Sequence, residues 1–98
     1  MFVHTVLFWL KPGLNPADRE RFRAGLETLK QISSADAVYI GTPASTDRPV
    51  IDRSYDFGLT VMLKGLAEHD AYQVDPIHTA FVANCSALWE RVLIYDFE

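Results

Sequence analysis

The chain has 98 residues, of which 49% are hydrophobic and 22% charged. A chain of this length is expected to form one domain, spanning residues 1–98. The net charge is −4, and the lysines and arginines are scattered rather than clustered, which excludes a nucleic-acid partner. So much apolar surface in so short a chain indicates burial against a partner protein.

Cysteine usage and the N-terminal segment predict where the protein resides. Cys85 is the only cysteine, so neither an intrachain disulfide nor a thiolate zinc site is available. The apolar run that follows Met1 lacks a basic leader and a small-residue cleavage site, and Lys11-Pro12-Gly13 stops it short of a membrane span. We therefore expect a cytoplasmic protein with no membrane partner.

The first element is predicted to be a strand from Phe2 to Lys11, because the run is rich in β-branched and aromatic residues and ends in a turn signal. One face carries Phe2, His4, Val6, Phe8 and Leu10. The other face, which includes Leu7 and Trp9, is also largely apolar. A sheet with helices on one side leaves such a second face uncovered, and another copy of the same sheet would cover it. The sequence thus predicts a homodimer.

Asn15 and Pro16 open an amphipathic helix that is expected to run to about Ser33. The segment from Pro43 to Ser54 is predicted to be a loop, and its apolar pair Val50 and Ile51 suggests an arm laid over the partner chain. The remaining elements are predicted as strands at 37–42, 55–63 and 92–97 and helices at 66–74 and 76–88.

The resulting order is β-α-β-β-α-β, a ferredoxin-like α+β fold with a four-stranded antiparallel sheet and helices on one face. A break divides its second helical region. Pro76 prevents Asp75 from adopting helical geometry, so one helix should end near Val74 and another begin at Pro76 with Asp75 as its N-cap. His78 then lies in the first turn, where the helix dipole disfavours imidazolium and keeps the ring able to accept a proton.

Two side chains flank this break as candidates for chemistry. His78 is a candidate general base, and Tyr72 could hold a substrate carbonyl by a hydrogen bond. The alternatives are a solvent-facing histidine and a tyrosine that only packs. His4 shares an apolar strand face and is either a core residue or a pocket residue.

Imidazoles and carboxylates also gather in this region, at His69, Asp70, Asp75 and His78, and these groups suit zinc or iron. However, His69 and His78 lie nine residues apart across a proline break, which matches no common ligand signature. We therefore predict no metal and no cofactor.

Four segments in order resemble a known family. They are His4 followed by apolar residues and Lys11, SYDFGL at Ser54–Leu59, YQVDPIH at Tyr72–His78, and the ending LWERVLIYDF. Together they resemble the stress-responsive dimeric α/β-barrel (Dabb) family. That resemblance implies two ferredoxin-like subunits packed sheet to sheet into a barrel, which agrees with the covered face inferred from strand composition.

The resemblance also implies site residues. A plant polyketide cyclase of this family uses a tyrosine and a histidine at positions matching Tyr72 and His78. Its first-strand histidine matches His4, whereas two of its other histidines are replaced here by Asp75 and Phe57. The implied site has Tyr72 and His78 as catalytic residues, and His4 and Phe57 as substrate-contacting residues, in a pocket of the dimeric barrel.

Three functions follow from these observations. The first is acid-base chemistry of a cyclase or lyase type on a small apolar or carbonyl-containing ligand. The second is a non-enzymatic, stress-associated dimer that binds a hydrophobic ligand or simply assembles. The third is a monooxygenase of the same barrel architecture, since such folds host several chemistries.

Overall fold

The protein, described by a computed structural model covering residues 1–98, is a four-stranded antiparallel sheet with three helices packed on one face. The ferredoxin-like prediction is thereby confirmed, with the second helical region split in two as expected at Pro76. The elements are β1 (Phe2–Leu10), α1 (Pro16–Thr28), β2 (Ala37–Gly41), β3 (Phe57–Leu63), α2 (Leu66–Val74), α3 (Pro76–Cys85) and β4 (Trp89–Phe97). None of the helices is both long and apolar enough to cross a membrane.

The sheet has the strand order β2-β3-β1-β4, so β1 is central and β4 forms an edge. The register between β1 and its neighbours places His4 opposite Val61 on β3 and opposite Asp96 on β4. Directly paired residues of an antiparallel sheet point to the same face. The register therefore brings a histidine from the start of the chain and an aspartate from its end to the same side.

The core lies between the sheet and the helices. Burial alternates strictly along β1, where every second residue from Phe2 to Leu10 is buried, and the same alternation continues along β3. Phe22 and Leu26 of α1 are fully buried against this face. The predicted face of β1 that carries His4 is thus the face under the helices.

Several boundaries differ from the sequence prediction, and the end of α1 and the start of β4 have identifiable causes. Helix α1 ends at Thr28 instead of continuing to about Ser33, because the chain tightens into a 3₁₀ turn over Leu29–Gln31, where the Ile32 N–H donates to the Leu29 carbonyl. Strand β4 begins at Trp89 rather than Val92. A register shift between Trp9 and Leu10 lets the edge strand pair three residues earlier than its apolar pattern indicates.

The connection between β2 and β3 is a loop, as predicted, and its C-terminal end is anchored to β1. The Asp56 carboxylate accepts from the Leu10 N–H at 2.7 Å, and the Asp56 N–H donates to the Phe8 carbonyl at 2.8 Å. Val50, earlier in the loop, is 79% exposed. Val50 is therefore not covered within its own chain, and the arm laid over a partner chain stays a prediction.

Candidate functional site

The junction of α2 and α3 positions the two residues predicted to carry chemistry. Asp75 has extended backbone geometry, with φ −60° and ψ 137°, and its carboxylate accepts from the Ile77 N–H at 2.8 Å. The predicted N-cap is therefore confirmed. Because Pro76 starts α3, His78 lies in the first turn of that helix, and Tyr72 lies near the end of α2.

A cavity of about 130 Å³ lies between the sheet and helices α2 and α3. Three of the four predicted site residues line it: His4 from β1, Tyr72 from α2 and His78 from α3. Ten of the thirteen lining residues, Tyr72 among them, are hydrophobic, so the cavity is largely apolar. The most exposed lining residues, Val82 and Ile94, mark its opening between α3 and the edge strand β4. The other lining residues are Val6, Phe8, Leu29, Leu59, Gln73, Phe81, Trp89 and Val92.

Tyr72 is buried with 0% exposure, and its hydroxyl has no hydrogen-bond partner within the protein. Its ring centroid lies 5.0 Å from that of His78 and 5.8 Å from that of His4. Burial raises the pKa of the Tyr72 hydroxyl far above its usual value. The hydroxyl is consequently a proton-bearing donor at neutral pH, and a buried polar group without a partner is uncommon enough to require an explanation.

The pKa of His78 is lowered from its usual value, first by burial and then by the nearby His4. Asp75 and the Gln73 backbone act in the opposite direction, and His69 adds a small further lowering of the pKa. The net shift is downward, so the imidazole is neutral at pH 7. A neutral imidazole beside a proton-bearing phenol can accept a proton while the phenol donates a hydrogen bond.

His4 is held by a residue that the sequence analysis did not identify. The residue is 2% exposed, and Nδ1 lies 2.5 Å from the Asp96 carboxylate across the β1–β4 ladder. His69 of α2 lies alongside, with its ring 5.2 Å from that of His4. The sequence does indicate that Asp96 lies on the same face of β4 as Val92 and Ile94, because the three residues alternate along the strand. Only the strand register shows that Asp96 lies opposite His4.

Phe57 lies apart from the other three predicted site residues and does not line the cavity. It starts β3 at the end of the sheet that α1 covers, and its ring packs 5.4 Å from the ring of Phe22. The Arg19 guanidinium lies 5.6 Å above the same ring. Phe57 is therefore a core residue under α1, outside this cavity, and its contact with a substrate stays a prediction.

The position of the cavity also differs from the predicted pocket of a dimeric barrel. The cavity forms within one chain, on the helix-covered face of the sheet, because the alternation of β1 directs His4 toward α2 and α3. The opposite face, which carries Leu7 and Trp9, contributes no residue to it. The site and the face expected to meet a partner are therefore on opposite sides of the sheet.

The strand order, the antiparallel sheet and the helices on one face define an α+β protein of the ferredoxin-like class, here with a small apolar cavity beneath the helices. The family model described as Stress responsive A/B Barrel Domain matches residues 2–98. The chain thus belongs to the stress-responsive A/B barrel (Dabb) family. A search of the curated proteins gives no significant match.

Solved structures share the fold of this chain. A Dabb family protein from Mesorhizobium loti is 26% identical, with a TM-score of 0.79 over 99% of this chain and 94% of that one. A dimeric ferredoxin-like protein of unknown function from Thermobifida fusca is 24% identical, with a TM-score of 0.79 over 98% of this chain and 88% of that one. A hydroxynitrile lyase from Passiflora edulis is 16% identical, with a TM-score of 0.78 over 98% and 90% of the two chains.

Proposed function

We propose that the cavity binds a compact apolar carbonyl compound, and that Tyr72 and His78 perform acid-base chemistry on it. The observation that carries the proposal is that Tyr72, whose buried hydroxyl has no hydrogen-bond partner, lines the same apolar cavity as His78. A bound carbonyl oxygen would supply the missing acceptor. Binding sites commonly combine an apolar lining with a few such placed polar groups.

The size of the cavity limits the ligand. A closed apolar cavity of about 150 Å³ accommodates benzene. This cavity, at about 130 Å³, suits one ring or a short branched chain, with any longer substituent leaving through the opening beside Val82 and Ile94. A single ring attached to a short carbonyl chain therefore fits better than an extended polar substrate.

The proposed reaction is proton transfer at the carbon next to the carbonyl. His78 accepts the proton, the C–H electron pair forms the enolate double bond, and the carbonyl π pair moves to oxygen. The oxygen, now negative, accepts the hydrogen bond from Tyr72, which stabilises it. Return of a proton from the imidazolium to carbon restores the ketone, so the step needs no oxidant or reductant.

Exchange with heavy water tests this step without knowledge of the natural substrate. Phenylacetone is the probe, and loss of its methylene proton signal in D₂O is followed by ¹H NMR. We expect exchange above the buffer rate with the native protein, near-complete loss in His78→Gln and at least a tenfold reduction in Tyr72→Phe. Tyr95→Phe, which removes a hydroxyl far from the cavity on the other face of the sheet, is the matched control.

The outcomes separate the two leading functions. Exchange that is unchanged in His78→Gln would overturn the assigned roles. Chemical-shift changes at cavity methyl groups without any exchange would overturn the chemistry and support a non-enzymatic ligand-binding protein. If neither binding nor exchange is observed, the cavity is not a site for this ligand class.

We also propose that the protein is a homodimer formed through the open face of the sheet. This face carries large apolar side chains, of which Tyr39, Tyr95 and Phe97 are 64%, 56% and 59% exposed. The dimeric character of the similar Thermobifida fusca protein supports the proposal. A partner sheet would remove these side chains from water, the arrangement expected for an apolar second face.

A further inference from the structure

A cluster of ligand-bearing side chains from three elements lies at the edge of the cavity. His4 on β1, His69 on α2 and Asp96 on β4 each present a ligand atom, and these atoms all lie within 4.8 Å of one another. His4 Nδ1 lies 2.5 Å from Asp96 Oδ1, and His69 Nε2 lies 3.9 Å from Asp96 Oδ2. The sequence argument against a metal used the spacing between His69 and His78. The present cluster is a different one, because it contains His4 and Asp96 in place of His78.

The surroundings of His69 are those of a metal ligand. The Asp70 carboxylate lies 3.1 Å from His69 Nδ1 and fixes the proton on that nitrogen. The Gln73 side-chain amide donates to Nε2 at 3.3 Å, which requires a lone pair there. Both contacts therefore select the tautomer whose lone pair is on Nε2, and the Gln73 amide occupies that lone pair until a metal ion replaces it. A histidine that donates one N–H to a carboxylate while the other nitrogen binds metal is the usual arrangement in metal sites.

Burial and charge also suit an ion. The His4 side chain is 3% exposed, that of His69 15% and that of Asp96 38%, so the cluster reaches solvent chiefly through the carboxylate and less through His69. Two imidazoles and one carboxylate form a donor set that suits divalent first-row transition metals. We propose that His4, His69 and Asp96 bind one such ion, with zinc or cobalt as its representatives, and leave a coordination position open.

Binding requires two local adjustments. The Gln73 amide must leave His69 Nε2, and the Asp96 carboxylate must move away from His4. Two ligands of a tetrahedral zinc ion lie about 3.3 Å apart, given metal–nitrogen distances near 2.0–2.1 Å. His4 Nδ1 and Asp96 Oδ1 are closer than this, so the carboxylate must withdraw by about 1 Å as the ion replaces the proton between them. Asp96 is the most exposed of the three and lies near the end of an edge strand, where such a movement meets little packing.

Cobalt titration tests the site directly. Co²⁺ bound to two nitrogens and a carboxylate in a site of low coordination number gives intense visible absorption, whereas aqueous Co²⁺ does not. We expect this spectrum to saturate at one Co²⁺ per chain and to be lost in His69→Gln and in Asp96→Asn. Asp70→Asn should weaken binding by roughly tenfold or more, because the second carboxylate orients the histidine.

The matched control is His78→Gln, since His78 lines the same cavity but lies outside the cluster, and it should bind Co²⁺ as the native protein does. His69→Gln and Asp96→Asn alter partly exposed side chains, and circular dichroism verifies that they are folded. A second readout is a rise in Tm with Zn²⁺ that disappears in His69→Gln. Absence of the spectrum, its retention in His69→Gln and Asp96→Asn, or its equal loss in His78→Gln would overturn the proposal.

Discussion

The Tyr72 hydroxyl is the residue-scale feature at which stability and the proposed function oppose each other. A buried hydroxyl without a partner loses its hydration and gains nothing in return. Tyr72→Phe should therefore raise the free energy of unfolding by about 1 kcal/mol, as measured by urea denaturation. The same variant should lose most of its proton exchange, as sites that trade stability for activity do.

Tyr72→Ala is the contrasting variant for that measurement. It removes the fully buried ring as well as the hydroxyl, and truncation of a buried aromatic residue typically costs about 3–5 kcal/mol. One hydrogen bond contributes about 1 kcal/mol to stability. A decrease in stability of about 1 kcal/mol or more in Tyr72→Phe would therefore show that the hydroxyl is hydrogen-bonded in solution, and would contradict its description as unpartnered.

His78 makes stability depend on pH with a defined sign. Its pKa is lowered in the folded protein, chiefly by burial and by His4, while Asp75 opposes the shift. The folded state therefore favours the neutral ring. The contribution of His78 to stability is present above the ordinary pKa of 6.5, and it is lost as the pH falls through the lowered pKa of the folded state. Urea denaturation from about pH 7.5 to about pH 5 should show a steeper loss of stability in the native protein than in His78→Gln. Equal pH dependence in the two proteins would contradict the shift.

The sequence predicts those parts of the site that are local in the chain. Asp75, Pro76 and His78 could be placed because capping and proline geometry act over a few residues. The contact of His4 with Asp96 joins positions 92 residues apart and depends on the pairing register of two strands, which local patterns do not determine. Phe57 was expected in the pocket from the family resemblance alone, and the packing of α1 on that end of the sheet makes it a core residue.

At the scale of the elements, the contact of α1 with α3 depends on a glycine. A Cβ atom at Gly25 would lie 2.6 Å from Cys85 Sγ and 3.2 Å from a ring carbon of Phe81. Gly25→Ala should therefore destabilise the protein by about 1–3 kcal/mol through overpacking, although alanine favours helix by about 1 kcal/mol. Urea denaturation measures the change.

A double-mutant cycle provides the control for that prediction. Replacing Cys85 by alanine removes the sulfur that the new methyl group would meet, so Gly25→Ala should cost less in the Cys85→Ala background. Gly41→Ala, whose Cβ would meet nothing within 4 Å, should have a small effect by comparison. If the stability changes of Gly25→Ala and Cys85→Ala are strictly additive, the new methyl group does not clash with Cys85 Sγ. That result would refute the close-contact interpretation.

At the scale of the whole molecule, the sheet separates two surfaces with different roles. The face under the helices carries the cavity and the cluster around Asp96, whereas the open face carries exposed aromatic side chains. The large apolar residues of the open face are, by their pairing across the four strands, Val3, Leu7, Trp9, Tyr39, Met62, Leu93, Tyr95 and Phe97. Because neither Tyr72 nor His78 lies on that face, assembly and chemistry should be separable by mutation.

The size of the particle in solution tests the proposed assembly. Light scattering after size exclusion should give twice the chain mass of 11.1 kDa. Tyr95→Glu places a charge in the open face, where a partner sheet would have to bury it unpaired, and should shift the protein to the monomer mass. Val74→Glu is the matched control, since Val74 is 75% exposed at the end of α2, and it should stay dimeric. If the native protein is monomeric at tens of micromolar, or if both variants dissociate alike, the proposal is overturned. The apolar open face is then not covered by a second copy of the chain.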